Sequence, residues 1–71
     1  MDNKSRLLQI AWKHHPGATT GTMLQSMDSL ELGSFIISVE EEFDIDLMDE
    51  ALQEARTVGD ILILIEDAQI G

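Results

Sequence analysis

The sequence predicts an all-α fold, a four-helix bundle whose third helix is short. Three observations carry that prediction. Apolar residues recur at helical spacing in three separate stretches: Leu7, Leu8, Ile10, Ala11 and Trp12; Leu32, Phe35, Ile36, Val39 and Phe43; and Val58, Ile61, Leu62 and Ile65. Each stretch is preceded by a residue that caps helices, Asp2 or Asn3, Asp28 and Thr57. The chain of 71 residues is 44% hydrophobic with no cysteine. It is therefore too apolar for a disordered acidic tail, and neither disulfides nor a thiolate metal site braces it. At this length a single domain over residues 1–71 with a thin core is expected.

The first helix is expected over about Asn3–His14 and ends where Lys13, His14 and then Pro16-Gly17 stand. Trp12 reads as a core or edge packing residue, and His14 and His15 as partners of the helix C-terminus. Residues 15–27 read as a Gly- and Thr-rich loop anchored to the core by Met23 and Leu24. The second helix runs from Asp28 to near Phe43, with Asp28 and Glu31 spaced as a capping box. A short third helix fits Asp49–Ala55, rich in Ala, Leu, Glu and Gln. The fourth begins at the cap Thr57, with Asp60 at its third helical position. The run Ile61–Ile65 also suits a buried strand, but its cap and the lack of a partner strand favour helix.

Charge is the most uneven feature of the chain. Four Lys and Arg stand against fourteen Asp and Glu, for a formal net charge of −10. Ten of the acids lie between Asp28 and Glu54, where there is no Lys or Arg. Outside that stretch four acids balance four bases, so the whole net charge belongs to the middle of the molecule. Nucleic acid is excluded as a partner, because its phosphates would be repelled. Basic proteins or cations are favoured instead, and a segregated block of one sign reads as a recognition surface.

On a helical wheel the second helix has two faces. Leu32, Phe35, Ile36, Val39 and Phe43 form the core stripe. Leu30, Gly33, Ile37, Glu40, Glu41 and Asp44 fall on the other side. Isolated exposed apolar residues are ordinary. A small apolar strip rimmed by acids is also what a transient docking surface for a basic partner needs. Ser29 stands just after the cap, where unpaired backbone N–H groups and the positive end of the helix dipole favour an attached phosphate.

Asp28-Ser29-Leu30, a helix of this length and then Glu40-Glu41-Glu42-Phe43-Asp44-Ile45 resemble the acyl carrier proteins. The resemblance runs from about Met27 to Ile65, through Asp49-Glu50 and Thr57-Val58, and the first helix agrees in type only. It implies that Ser29, flanked by Asp28 and Leu30, carries a covalent phosphopantetheine installed by a phosphopantetheinyl transferase, and that acyl groups ride on it as thioesters. It implies no catalysis by the chain itself. Partners would be acyl-loading and acyl-processing enzymes whose basic patches dock on Glu31, Gly33, Ile37, Glu40, Glu41 and Asp44. Phe35, Ile36, Val39, Leu47, Ala51, Ile61 and Leu62 are candidates to shelter the acyl chain. Several positions depart from the family pattern: the loop before Asp28 is short, Gln25-Ser26-Met27 replaces the usual Leu-Gly, Met48 replaces a proline, and Gly33, Ser34 and Ile37 replace a larger apolar residue, an acid and a methionine. The pathway expected is fatty-acid biosynthesis or a specialised lipid or polyketide-type one, and these departures favour a specialised carrier over the main fatty-acid carrier.

Other chemistries fit less well. The acids from Asp44 to Glu50 do not match a calcium loop, since Met48 and Asp49 fall at its fifth and sixth positions and Ala55 at its twelfth. His14 and His15, being adjacent, do not share one metal easily, so no metal site is expected. The longest apolar run, Ile61–Ile65, is far below a membrane span, and Met1–Lys13 lacks the apolar core of a secretory signal. A monomeric cytoplasmic protein is expected. Two alternatives stay open: a carrier of aminoacyl or peptidyl groups, and an unmodified acidic interaction module of the same fold.

Overall fold

A computed structural model describes residues 2–70, so the expected domain of residues 1–71 reaches one residue beyond it at each end. Four α-helices follow one another: α1 (Asn3–His14), α2 (Ser29–Phe43), α3 (Asp49–Glu54) and α4 (Val58–Ile70). The fold is thus the expected all-α bundle with a short third helix.

The helices start where side chains satisfy their first free N–H groups. Asp2 accepts from Ser5 N–H at 2.8 Å to open α1, and Asp28 accepts from Glu31 N–H at 2.7 Å to open α2. At α4 the capping is reciprocal: Thr57 Oγ1 accepts from Asp60 N–H at 3.2 Å while Asp60 Oδ2 accepts from Thr57 N–H at 3.1 Å. The Asp60 carboxylate also accepts from Arg56 N–H at 2.8 Å. The backbone N–H groups of Arg56 and then Thr57 hold the Asp60 carboxyl below its ordinary value.

α1 packs against both α2 and α4. Leu7 and Ala11 of α1, Phe35 and Val39 of α2, and Val58, Ile61 and Ile65 of α4 are sealed from solvent. Within the predicted α2 stripe, Phe35, Val39 and Phe43 are buried, whereas Leu32 and Ile36 are only partly so. Those two lie on the side toward Leu52 of α3.

The segment between α1 and α2 is more ordered than a loop rich in Gly and Thr suggests. Leu24–Ser26 form a single 3₁₀ turn, and Ala18, Leu24 and Met27 are buried. Met23 pairs with Thr57 in an isolated bridge. Leu24 N–H donates to Arg56 O at 2.8 Å, Val58 N–H to Thr22 O at 3.0 Å and Gly59 N–H to Thr20 O at 2.8 Å. A Cβ at position 59 would stand 3.1 Å from Thr20 O, so this close approach uses a glycine. The segment is thereby clamped to the start of α4.

Several side-chain placements correct or extend the sequence reading. His14 and His15 reach across to α2 rather than serving the end of α1: His14 Nε2 lies 3.2 Å from Ser38 Oγ with its ring edge toward Phe35, and His15 Nδ1 lies 3.5 Å from Glu31 Oε2. Arg6 of α1 binds both the carboxylate and the carbonyl of Glu42, at 2.7 and 3.0 Å, and lies over the Phe43 ring. The acidic block is therefore partly compensated from outside its own stretch. Trp12, read from the sequence as core or edge, takes the edge position at 54% exposure, so it does not belong to the buried face of α1.

Candidate site at the start of the second helix

Asp28 and Ser29 divide two tasks between adjacent residues. Asp28 has extended backbone, its Oδ1 caps Glu31 N–H, and its carbonyl takes the first helical bond from Leu32 N–H at 2.9 Å. The cap is thus filled by Asp28. Ser29, the first helical residue, is left exposed to solvent. Serines at helix starts usually serve as caps, and this one does not. The N–H groups of Ser29 and Leu30, which the Asp28 cap does not engage, lie at the same helix end.

Beside Ser29 runs an apolar groove of about 430 Å³. Leu32, Gly33, Ile36 and Ile37 of α2 form one wall, and Leu24 from the 3₁₀ turn and Leu52 from α3 form the other. Of the seven residues considered as shelter for an acyl chain, only Ile36 lines this groove. Phe35, Val39 and Ile61 are fully enclosed in the core and Leu47 is buried, so they face packed side chains rather than open space. The groove walls that periodicity does not reveal are Leu24 and Leu52, which come from elements too short to carry a period.

The other predicted site residues fall along the exposed flank of α2. Leu30 is 86% and Ile37 56% exposed, and Gly33 lies between them. Glu41 and Asp44 are exposed as well. Glu31 is partly buried and faces His15. Glu40 is also partly buried, and its carboxylate accepts from Leu47 N–H at 2.8 Å. Its carbonyl receives the N–H of Asp44 and that of Ile45 as well. Glu40 is therefore tied into the turn that leads to α3, a role its position on the wheel does not disclose. Asp44 closes α2 in the left-handed conformation with φ of 54°, a geometry glycine takes at less cost.

The electrostatics of α2 run against its own stability. Glu40, Glu41, Glu42 and Asp44 crowd the negative end of its dipole, with no base in its last turn. Among the described residues, only two acids of this helix have a basic side chain within 4 Å: Glu42 pairs with Arg6, and Glu31 lies 3.5 Å from the His15 imidazole, which is charged only when protonated. Glu41 and Asp44 present unpaired charge next to exposed Ile37. Among the described residues no group of three or more His, Asp or Glu is placed to hold a metal ion.

The fold and the site together define a class: a small helical domain that presents one exposed serine at a capped helix start, beside an apolar groove and an acidic helix flank. Among curated proteins, the acyl carrier protein of Chlamydia felis is 38% identical to the chain over 42 residues, which is 59% of this chain and 54% of that protein. The chain thus spans about half the length of the curated relative it matches. That likeness supports a relationship to the acyl carrier proteins. No family model matches the chain. No solved structure matches it either.

Proposed function

We propose that this protein carries acyl groups as thioesters on a phosphopantetheine joined to Ser29. The observation that carries the reading is Ser29, an exposed residue at a helix start whose capping position is already taken by Asp28. The residues present fit the group. Ser29 is exposed, the N–H groups of Ser29 and Leu30 that the Asp28 cap leaves free and the helix dipole favour negative charge there, and Ser29 lines the apolar groove. Bound there, the group supplies a thiol on a long flexible arm. The chain's own part is to present Ser29, to hold the first turn of α2 rigid through Asp28, and to offer enzymes a surface. The Asp28 carboxylate is committed to the cap, so activation of the serine hydroxyl falls to the transferase.

Partners in this reading are a phosphopantetheinyl transferase and acyl-loading or acyl-processing enzymes with basic docking patches. They meet Leu30, Gly33, Ile37, Glu41 and Asp44, with Glu31 and Glu40 behind them. Acids at the rim speed the encounter, and the exposed apolar pair supplies desolvated contact. The pathway would be fatty-acid or specialised lipid metabolism in the cytoplasm. No helix among the described residues is long and apolar enough to cross a membrane.

The test is the intact mass of the purified chain after incubation with coenzyme A, Mg²⁺ and a phosphopantetheinyl transferase. A gain of one phosphopantetheine, absent in Ser29→Ala, is expected. No gain removes the carrier reading and leaves the unmodified acidic interaction module; a gain that survives Ser29→Ala removes Ser29 as the attachment site. Cargo captured from native cells separates acyl from aminoacyl or peptidyl use.

A further inference from the structure

Gly33 is a glycine that nothing inside the protein requires. It sits in the interior of α2, where glycine is the least favourable residue after proline. Among the described glycines only Gly17 has a positive φ, so the backbone at Gly33 suits any residue. A Cβ placed on Gly33 would meet no atom within 4 Å, so packing does not exclude a side chain either. Gly59 is the contrast, since there a Cβ would press on the Thr20 carbonyl.

What the glycine shapes lies outside the molecule. Leu30, three residues before it, and Ile37, four after it, stand out at 86% and 56% exposure on the same helix flank. The missing side chain leaves a notch between them that opens into the apolar groove. At 1.5 Å per residue, Leu30 and Ile37 lie about 10 Å apart along the axis, room for one bulky side chain. Beyond Ile37 the flank continues to Glu41 and Asp44, whose charges have no ion-pair partner among the described residues. The notch is therefore apolar within and acidic at its rim.

We infer that Gly33 selects partner enzymes that present one bulky apolar side chain on a basic surface. That side chain enters the notch between Leu30 and Ile37, and the Lys or Arg residues around it meet Glu41 and Asp44. This inference rests on the docking reading above. The transferase is the partner to assay, because it must reach Ser29, one helical turn from Gly33.

The experiment compares the wild type, Gly33→Ala and Gly33→Leu as substrates of a phosphopantetheinyl transferase with coenzyme A, and records their Tm values. Gly33→Ala should raise Tm by about 4–8 °C. Gly33→Leu should raise the KM of the transferase for the carrier about tenfold, leave kcat within about twofold because Ser29 is undisturbed, and stay folded. Gly33→Ala should fall between it and the wild type in KM, which keeps the test decisive should the leucine variant fold poorly. Equal KM values across the series overturn the inference while leaving a loaded wild type, and hence the carrier reading, intact. A defect seen with acyl-coenzyme A but not with free coenzyme A assigns the notch to the cargo and also overturns it. A wild type that is never loaded fails the carrier reading, and the inference falls with it.

Discussion

Glu40 and Glu41 are neighbours of the same charge on the same helix, and the structure gives them different work. Glu40 accepts from Leu47 N–H at 2.8 Å and is partly buried, whereas Glu41 is exposed. Replacing each by Ala removes one negative charge and one glutamate from α2, so the difference between the two variants isolates the hydrogen bond. A bond to a charged acceptor contributes about 1.5–3 kcal/mol, and its loss strands the N–H of Leu47. For a domain of this size each kcal/mol moves Tm by about 4–8 °C, so Glu40→Ala should melt about 6–24 °C below Glu41→Ala. Thermal unfolding followed by far-ultraviolet circular dichroism measures this directly. In the docking assay the order should not follow stability: Glu41→Ala should raise the transferase KM while Tm barely changes. If the two variants melt within 2 °C of each other, Glu40 does not hold the turn into α3, and the division of labour argued here is wrong.

Three further outcomes are expected. Asp44→Gly should raise stability by about 0.5–1 kcal/mol, because glycine adopts the left-handed end of α2 without strain and a charge leaves the negative end of the dipole; urea unfolding would show it as a higher midpoint at unchanged slope. Asp60, whose folded carboxyl titrates below its ordinary 3.8, contributes stability that is present above that pH and lost as pH falls through its folded value. Asp60→Asn should therefore be less stable than the wild type at neutral pH, with the gap closing below pH 3.8, and a gap constant with pH would count against the α4 cap. Because the −10 charge is concentrated between Asp28 and Glu54, Tm should rise as NaCl screens the acids; a flat or falling Tm across the titration would contradict that picture.

The helix starts were legible because caps are local. Asp28 before Ser29, and Thr57 with Asp60, act within one helical turn, and a residue pattern suffices to find them. Positions such as Phe35, Val39 and Ile61 were legible because burial repeats with the helical period. What the pattern misses acts between elements. The clamp of residues 20–24 on the start of α4 consists mostly of backbone hydrogen bonds, which have no side-chain signature. Arg6–Glu42 and His15–Glu31 link α1 to α2 across distances in sequence that no spacing rule covers. The wheel placed Glu40 on the outer flank of α2, and only the path of the chain after Phe43 brings Leu47 N–H to it. At the site, Ser29, Leu30 and Ile37 stand exposed as the pattern suggested. The groove differs: its second wall comes from Leu24 and Leu52, and it runs along the surface of α2 rather than into the core.

The charge arrangement ties these strands together. Acids at the negative end of α2 weaken the helix, and a glycine in its interior weakens it further. Asp44 in a left-handed conformation adds strain at its end. Gly33, Glu41 and Asp44 are all exposed along the helix that Ser29 begins. A helix optimised for its own stability would avoid them, whereas a helix that presents a surface to basic enzymes has use for the acids and the notch.

The central claim concerns one oxygen atom, Ser29 Oγ. Its most direct test is peptide mapping by mass spectrometry of the protein isolated from its native cells. The account predicts one phosphopantetheine, confined to the peptide that contains Ser29 and absent from Ser5, Ser26, Ser34 and Ser38. An unmodified Ser29, or the group on any other serine, would contradict it.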